Sequence, residues 1–137
     1  MDLNDLYDLS EKNHIRIDSF RLTASPSFAM DYKGKCYVVM DPSQLRGSAD
    51  EKVKVAHELG HCCQGAFYNR YSPLDTVEKQ ERRADCWAIK KLIPREELKT
   101  AADSGCGNVY EFAEYFGVTE DFMRLALEYY LNVEPME

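Results

Sequence analysis

The stretch Ser48-Ala49-Asp50-Glu51-Lys52-Val53-Lys54-Val55-Ala56-His57-Glu58-Leu59-Gly60-His61-Cys62-Cys63 sets the terms on which the rest of the chain is read. Its opening tetrad has the form of a capping box, in which the Ser48 oxygen accepts the Glu51 amide and the glutamate reaches back, so a helix is expected to start there. At about 100° per residue, Val55, Ala56, Leu59 and Cys63 share a sector of about 100° that can be buried. His57 and His61 lie opposite, about 40° apart and one turn apart on the axis, so two imidazoles can converge on one cation. Glu58 falls about 60° beyond His61, where it can reach a water beside the cation without displacing either ring. An H-E-x-x-H pentad on a helix is the signature of a zinc site with the glutamate as general base.

Two histidines need a further ligand. Glu81 stands twenty positions beyond His61, and Asp85 four beyond Glu81. The i, i+4 spacing puts both carboxylates on one face of a second helix: Glu81 can complete a His2Glu set and Asp85 can fix the tautomer of a ligating histidine. Glu78 is the alternative ligand, on a neighbouring face, but only Glu81 leaves Asp85 in register. Asp85 has a plainer reading as a partner of Arg82 or Lys90.

The chain has 137 residues, 45% of them hydrophobic, which is enough for one substantial core and too little for two. No apolar run approaches membrane-spanning length, and the acidic Met1-Asp2-Leu3-Asn4-Asp5 start is unlike a secretory signal, so a cytoplasmic protein is expected. The five cysteines, Cys36, Cys62, Cys63, Cys86 and Cys106, are odd in number and lack a C-x-x-C pair, so reduced thiols are expected, with Cys62 and Cys63 packing in or beside the core. A net charge of −7 repels phosphate backbones and argues against nucleic acid as the main partner.

Leu3, Leu6, Tyr7 and Leu9 fit one face of an N-terminal helix over residues 3–13. Residues 15–17, 28–32 and 35–40 read as strands of a small antiparallel sheet, with Lys33-Gly34 making a tight hairpin between the last two. Residues 64–73 read as a loop near the metal, in which Tyr68, Arg70 or Tyr71 can stabilise an oxyanion or touch substrate. Asp75-Thr76-Val77-Glu78 offers a second capping box and a helix over residues 76–92, closing ahead of Pro94. Further helices are expected over 94–103, from the Asn108 cap to Gly117, and from Thr119 to about residue 131. His14 reads as structural and Trp87 as core. The last two helices have the outline of a helix-turn-helix, but residues 108–131 carry one base, Arg124, against five acids, which opposes docking on DNA. Lys79, Arg82, Arg83, Lys90 and Lys91 read as a solvated helix face or a contact for an acidic partner.

The ligand set expected from the spacing implies metal-assisted peptide hydrolysis: Glu58 accepts a water proton, the hydroxide attacks a peptide carbonyl, and the proton passes to the leaving amine. The Lys35 to Met40 strand, if it lies at a sheet edge beside the cleft, could bind the substrate as an added strand.

His57-Glu58-Leu59-Gly60-His61-Cys62, then Glu81-Arg82-Arg83-Ala84-Asp85-Cys86-Trp87-Ala88, then Leu92-Ile93-Pro94, resemble the ImmA/IrrE family of zinc metallopeptidases found in bacteria, prophages and integrative elements. The resemblance covers roughly residues 51–130. It implies His57, His61 and Glu81 as zinc ligands and Glu58 as the catalytic glutamate, with Trp87 where the family usually has Phe and Asp85 where Asn is common. It also implies cleavage of a helix-turn-helix repressor of a mobile element or stress response, whereas the DNA-binding and sensor domains of longer relatives do not carry over. The resulting expectation is one α+β zincin-like domain over residues 1–137: N-terminal helix and small sheet (1–47), metal-binding helices (48–93) and C-terminal helices (94–137). Its expected function is a zinc endopeptidase acting on a cytoplasmic regulator, without membrane or direct nucleic-acid contact. A zinc-stabilised protein that sequesters a repressor without cutting it is the alternative.

Overall fold

The computed structural model describes residues 1–64 and 74–132. In chain order the elements are α1 (Leu3–Lys12), β1 (Arg16–Ser19), β2 (Ser27–Tyr32), β3 (Lys35–Met40), a 3-10 turn at Pro42–Gln44, α2 (Ser48–Gln64), α3 (Leu74–Leu92), α4 (Arg95–Asp103), α5 (Val109–Phe116) and α6 (Glu120–Asn132). This is an α+β fold with one small sheet, and no helix among the described residues is long and apolar enough to cross a membrane.

Local chemistry explains most of the element ends. Asp2 and Asp5 form a reciprocal capping box at the start of α1. Lys33 and Gly34 both take positive φ, 52° and 81°, which is the two-residue hairpin geometry that joins β2 to β3. Asn108 accepts the Glu111 amide at the start of α5, and Gly117 ends it in the left-handed region. The start of α2 is where expected, but the Ser48–Glu51 box does not form. The Glu51 amide donates to the Gly47 carbonyl, the Glu51 carboxylate accepts from the Tyr7 hydroxyl at 2.7 Å, and Asp50 accepts the Arg46 amide instead. Tyr7 thereby ties α1 to α2, and burial, together with the hydrogen bond to Glu51, pushes its phenol pKa up.

The sheet is mixed rather than antiparallel. Its order is β1-β3-β2, with β2 antiparallel and β1 parallel to β3. Direction alternates along the chain as expected, but β2 returns on the far side of β3, so the first and third strands, which run the same way, become neighbours. The connection that allows this is pinned at Asp41. Its carboxylate accepts the Leu22 amide, the Gln44 amide side chain, and both the amide and hydroxyl of Ser43, while its own amide donates to the Pro26 carbonyl at 2.8 Å. β3, which could add a substrate strand only from a sheet edge, is therefore central, and β2 is an edge among the described residues.

One layer of helices covers the inner face of the sheet. Val38 and Met40 meet Val55, Ala56 and Leu59 of α2, and the same core takes in Ile89, Leu92 and Ile93 and then Phe116, Phe122, Met123 and Ala126. Lys52 is also buried; its ammonium donates to the Phe116 carbonyl at the C-terminal end of α5, where a cation is favoured, and burial pushes its pKa down. The Tyr130 hydroxyl closes α6 on the Ile93 carbonyl. Trp87 is partly buried against this core, and His14 is an exposed turn residue at positive φ. The cysteines depart from expectation. Cys36 of β3 and Cys62 of α2 are joined by a disulfide, with Cα atoms 5.7 Å apart, while Cys63 is an exposed thiol rather than part of the core face. Nothing in a separation of 26 residues marks that pair in sequence.

Four accepted hydrogen bonds hold the Asp41 carboxyl well below the usual carboxylate range. Its folded pKa lies below the unfolded one, so its stabilisation is complete above about pH 4 and is lost as the pH falls further. Asp41→Ala should lower the melting temperature at pH 7, and urea unfolding should show its deficit against the wild type shrinking as pH drops below about 4.

Candidate metal centre

The centre forms where α2 and α3 touch backbone to backbone. A Cβ placed on Gly60 would lie 2.6 Å from the Ala84 carbonyl oxygen and 3.0 Å from its Cα, so only glycine permits this approach. One turn of α3 before the contact is Glu81, and one residue after it is Asp85. The core face of α2, the Gly60 face against α3 and the histidine face are three sectors of the same helix.

His57 Nε2 is 2.9 Å from Glu81 Oε1 and His61 Nε2 is 3.1 Å from Glu81 Oε2, with the two rings edge to face at 4.8 Å between centroids. His57 Nδ1 is 2.7 Å from Asp85 Oδ1. His57, His61 and Glu81 offer ligand atoms that all lie within 4.8 Å of one another, a set able to hold a metal ion. Asp85 stays out of that set and faces the other nitrogen of His57, which leaves Nε2 directed inward. The donor set thus fits a divalent ion of borderline softness: two imidazole nitrogens and one carboxylate clustered within 4.8 Å, with an outer carboxylate orienting one ring. Glu78 is exposed and does not join the cluster.

The electrostatics follow from the contacts. Burial opposes charging of His57, but Asp85 and Glu81 outweigh it and raise its pKa to about 10. The two histidines hold Glu81 far below the ordinary carboxylate range. Glu58, 6% exposed, is pushed up chiefly by burial and drawn back by a hydrogen bond from Ser27, whose Oγ donates to Glu58 Oε2 at 2.7 Å. Glu58 lies with His57, His61 and Glu81 around a cavity of about 410 Å3 whose other wall is Ser25, Ser27, Phe28 and Ala29 of β2 and its approach.

The structure therefore brings together His57, Glu58, His61, Glu81 and Asp85, the five residues singled out by motif and spacing. Tyr68, Arg70 and Tyr71 lie outside the described residues. Sequence reasoning missed the β2 wall, Ser27 above all: it is 31 positions from Glu58, belongs to no motif, and is marked by no periodicity.

Two histidines on one helix, a carboxylate on the next, and a buried glutamate on the same cavity form a candidate metal centre. The chain belongs to the IrrE N-terminal-like domain family, a peptidase family, whose model matches residues 38–128. No curated protein matches the chain significantly. The matched segment contains all five site residues and begins after β2, so Ser27 lies outside it.

Gly60→Ala sets a gain in helix propensity of about 1 kcal/mol against a collision with α3 backbone, which costs about 1–3 kcal/mol. The collision should win: urea unfolding should show a net loss, and metal uptake should weaken because α3 carries Glu81 outward.

Proposed function

We propose that this chain is a zinc-dependent endopeptidase that hydrolyses a peptide bond in a cytoplasmic protein, a helix-turn-helix repressor of a prophage or other mobile element. One observation carries the reading: His57, His61 and Glu81 offer three donor atoms within 4.8 Å of one another while Glu58 faces the same open cavity. A structural metal needs no buried, non-ligating carboxylate beside it, whereas hydrolysis does.

His57, His61 and Glu81 would hold the ion through their imidazoles and carboxylate, and Asp85 keeps the His57 proton on Nδ1. A zinc ion bound there would supply Lewis-acid chemistry, lowering the pKa of water and polarising a carbonyl. Glu58 takes the proton of the attacking water and delivers it to the leaving amine; with Oε2 occupied by Ser27, Oε1 is the oxygen that does so. The substrate lies along β2, whose outer edge pairs with no strand among the described residues, in place of β3, which could serve only if it lay at a sheet edge. Tyr68, Arg70 or Tyr71 supplies the donor to the developing oxyanion.

The test is to incubate zinc-loaded protein with the repressor encoded beside its gene and follow intact mass. The wild type should produce two fragments, and Glu58→Gln should retain zinc and partner binding while cleaving at least about a thousandfold more slowly. Undiminished derepression by Glu58→Gln would instead identify a protein that sequesters its partner. In zinc titrations against a competing chelator, Glu81→Ala should weaken binding by more than about a hundredfold and Asp85→Ala by about ten- to a hundredfold, with Glu78→Ala within about twofold of wild type.

A further inference from the structure

We infer that Ser27 is a positioning residue for Glu58, so that the strand along which substrate is proposed to lie also orients the base. The inference rests on the proposed role of Glu58 but on a separate set of contacts. Glu58 is almost fully buried, and burial on a helix whose neighbouring faces are spent on His57, His61, the core and α3 leaves its carboxylate few partners. The hydrogen bond from Ser27 Oγ, at 2.7 Å, is the contact that fixes which oxygen faces the sheet.

Ser27 is held from behind. It is the first residue of β2 and pairs with Met40, the last of β3. The next residue, Asp41, donates its amide to the Pro26 carbonyl and clasps Leu22 and Gln44 with its carboxylate. The Ser27 hydroxyl is therefore presented by a strand end locked on both sides, which is what a positioning group requires. Ala29, the next inward-facing residue of β2, carries no hydroxyl that could take over. A serine at position 27 does what no residue of the pentad can do for itself: it holds one carboxylate oxygen and leaves the other for water.

The side-chain carboxyl carbon signal of Glu58, read by NMR in the metal-free full-length protein, reports this contact without substrate or metal. Ser27→Ala should shift it, and Ser27→Thr, which keeps a hydroxyl on the same carbon, should leave it near the wild-type position. With zinc bound, and with a quenched fluorescent peptide spanning the bond cut in the repressor, Ser27→Ala should lower kcat about tenfold with KM within about twofold, and Ser27→Thr should restore most of it. An unmoved carboxyl signal in Ser27→Ala, or a loss confined to KM, overturns the inference. If the wild type cleaves nothing, the functional reading fails by itself, and the carboxyl signal still decides whether Ser27 orients Glu58.

Discussion

The close approach of α2 and α3 at Gly60 and Ala84 is the constraint on which the centre depends. A glycine inside a helix costs about 1 kcal/mol relative to alanine, and here it is set at the one point where a methyl group would strike backbone. With the helices at that separation, two turns of α3 present Glu81 and then Asp85 to the same imidazole. A wider spacing would leave a histidine pair on one helix and an acidic pair on another, each satisfied by solvent.

That geometry places three carboxylates and two imidazoles in a small volume, and their environments divide the labour. Glu81 and Asp85, each about a third exposed, are bound to ring nitrogens, and the two histidines hold Glu81 in its charged form. Glu58 is nearly buried on the cavity wall between helix and sheet, where burial works against its charge and a hydrogen bond from Ser27 draws it back. The sheet is therefore more than a support for the metal helix. Its central strand fills the core and is tied to α2 by Cys36–Cys62, while its edge strand walls the cavity.

Periodic and local signals were legible where the physics is local. The helix carrying the pentad, the i, i+4 pair on α3, the Lys33-Gly34 hairpin and the Asn108 cap each depend on residues within about one turn of each other. The Ser48 capping box failed because Glu51 is claimed by Tyr7, which is 44 positions away. The antiparallel sheet failed for the same kind of reason: strand direction follows from the turns, but neighbour order depends on how residues 20–26 pass the end of β3, and that path is held by a single buried aspartate. The reduced-thiol expectation holds for Cys63, Cys86 and Cys106 but failed for Cys36 and Cys62, because cysteine spacing says nothing about which strand lies over which helix end.

By itself the sequence determined the chemistry available: two imidazoles and a glutamate at fixed angles on one helix, and two carboxylates in register on another, because helical geometry is the same wherever a helix forms. Only the tertiary structure decided that these two helices meet at a glycine, that β2 rather than β3 borders the cavity, and that a serine from that strand reaches the buried glutamate. Those outcomes depend on long-range packing, in which a residue's partner is chosen by what the whole core brings within hydrogen-bonding distance and not by its neighbours along the chain.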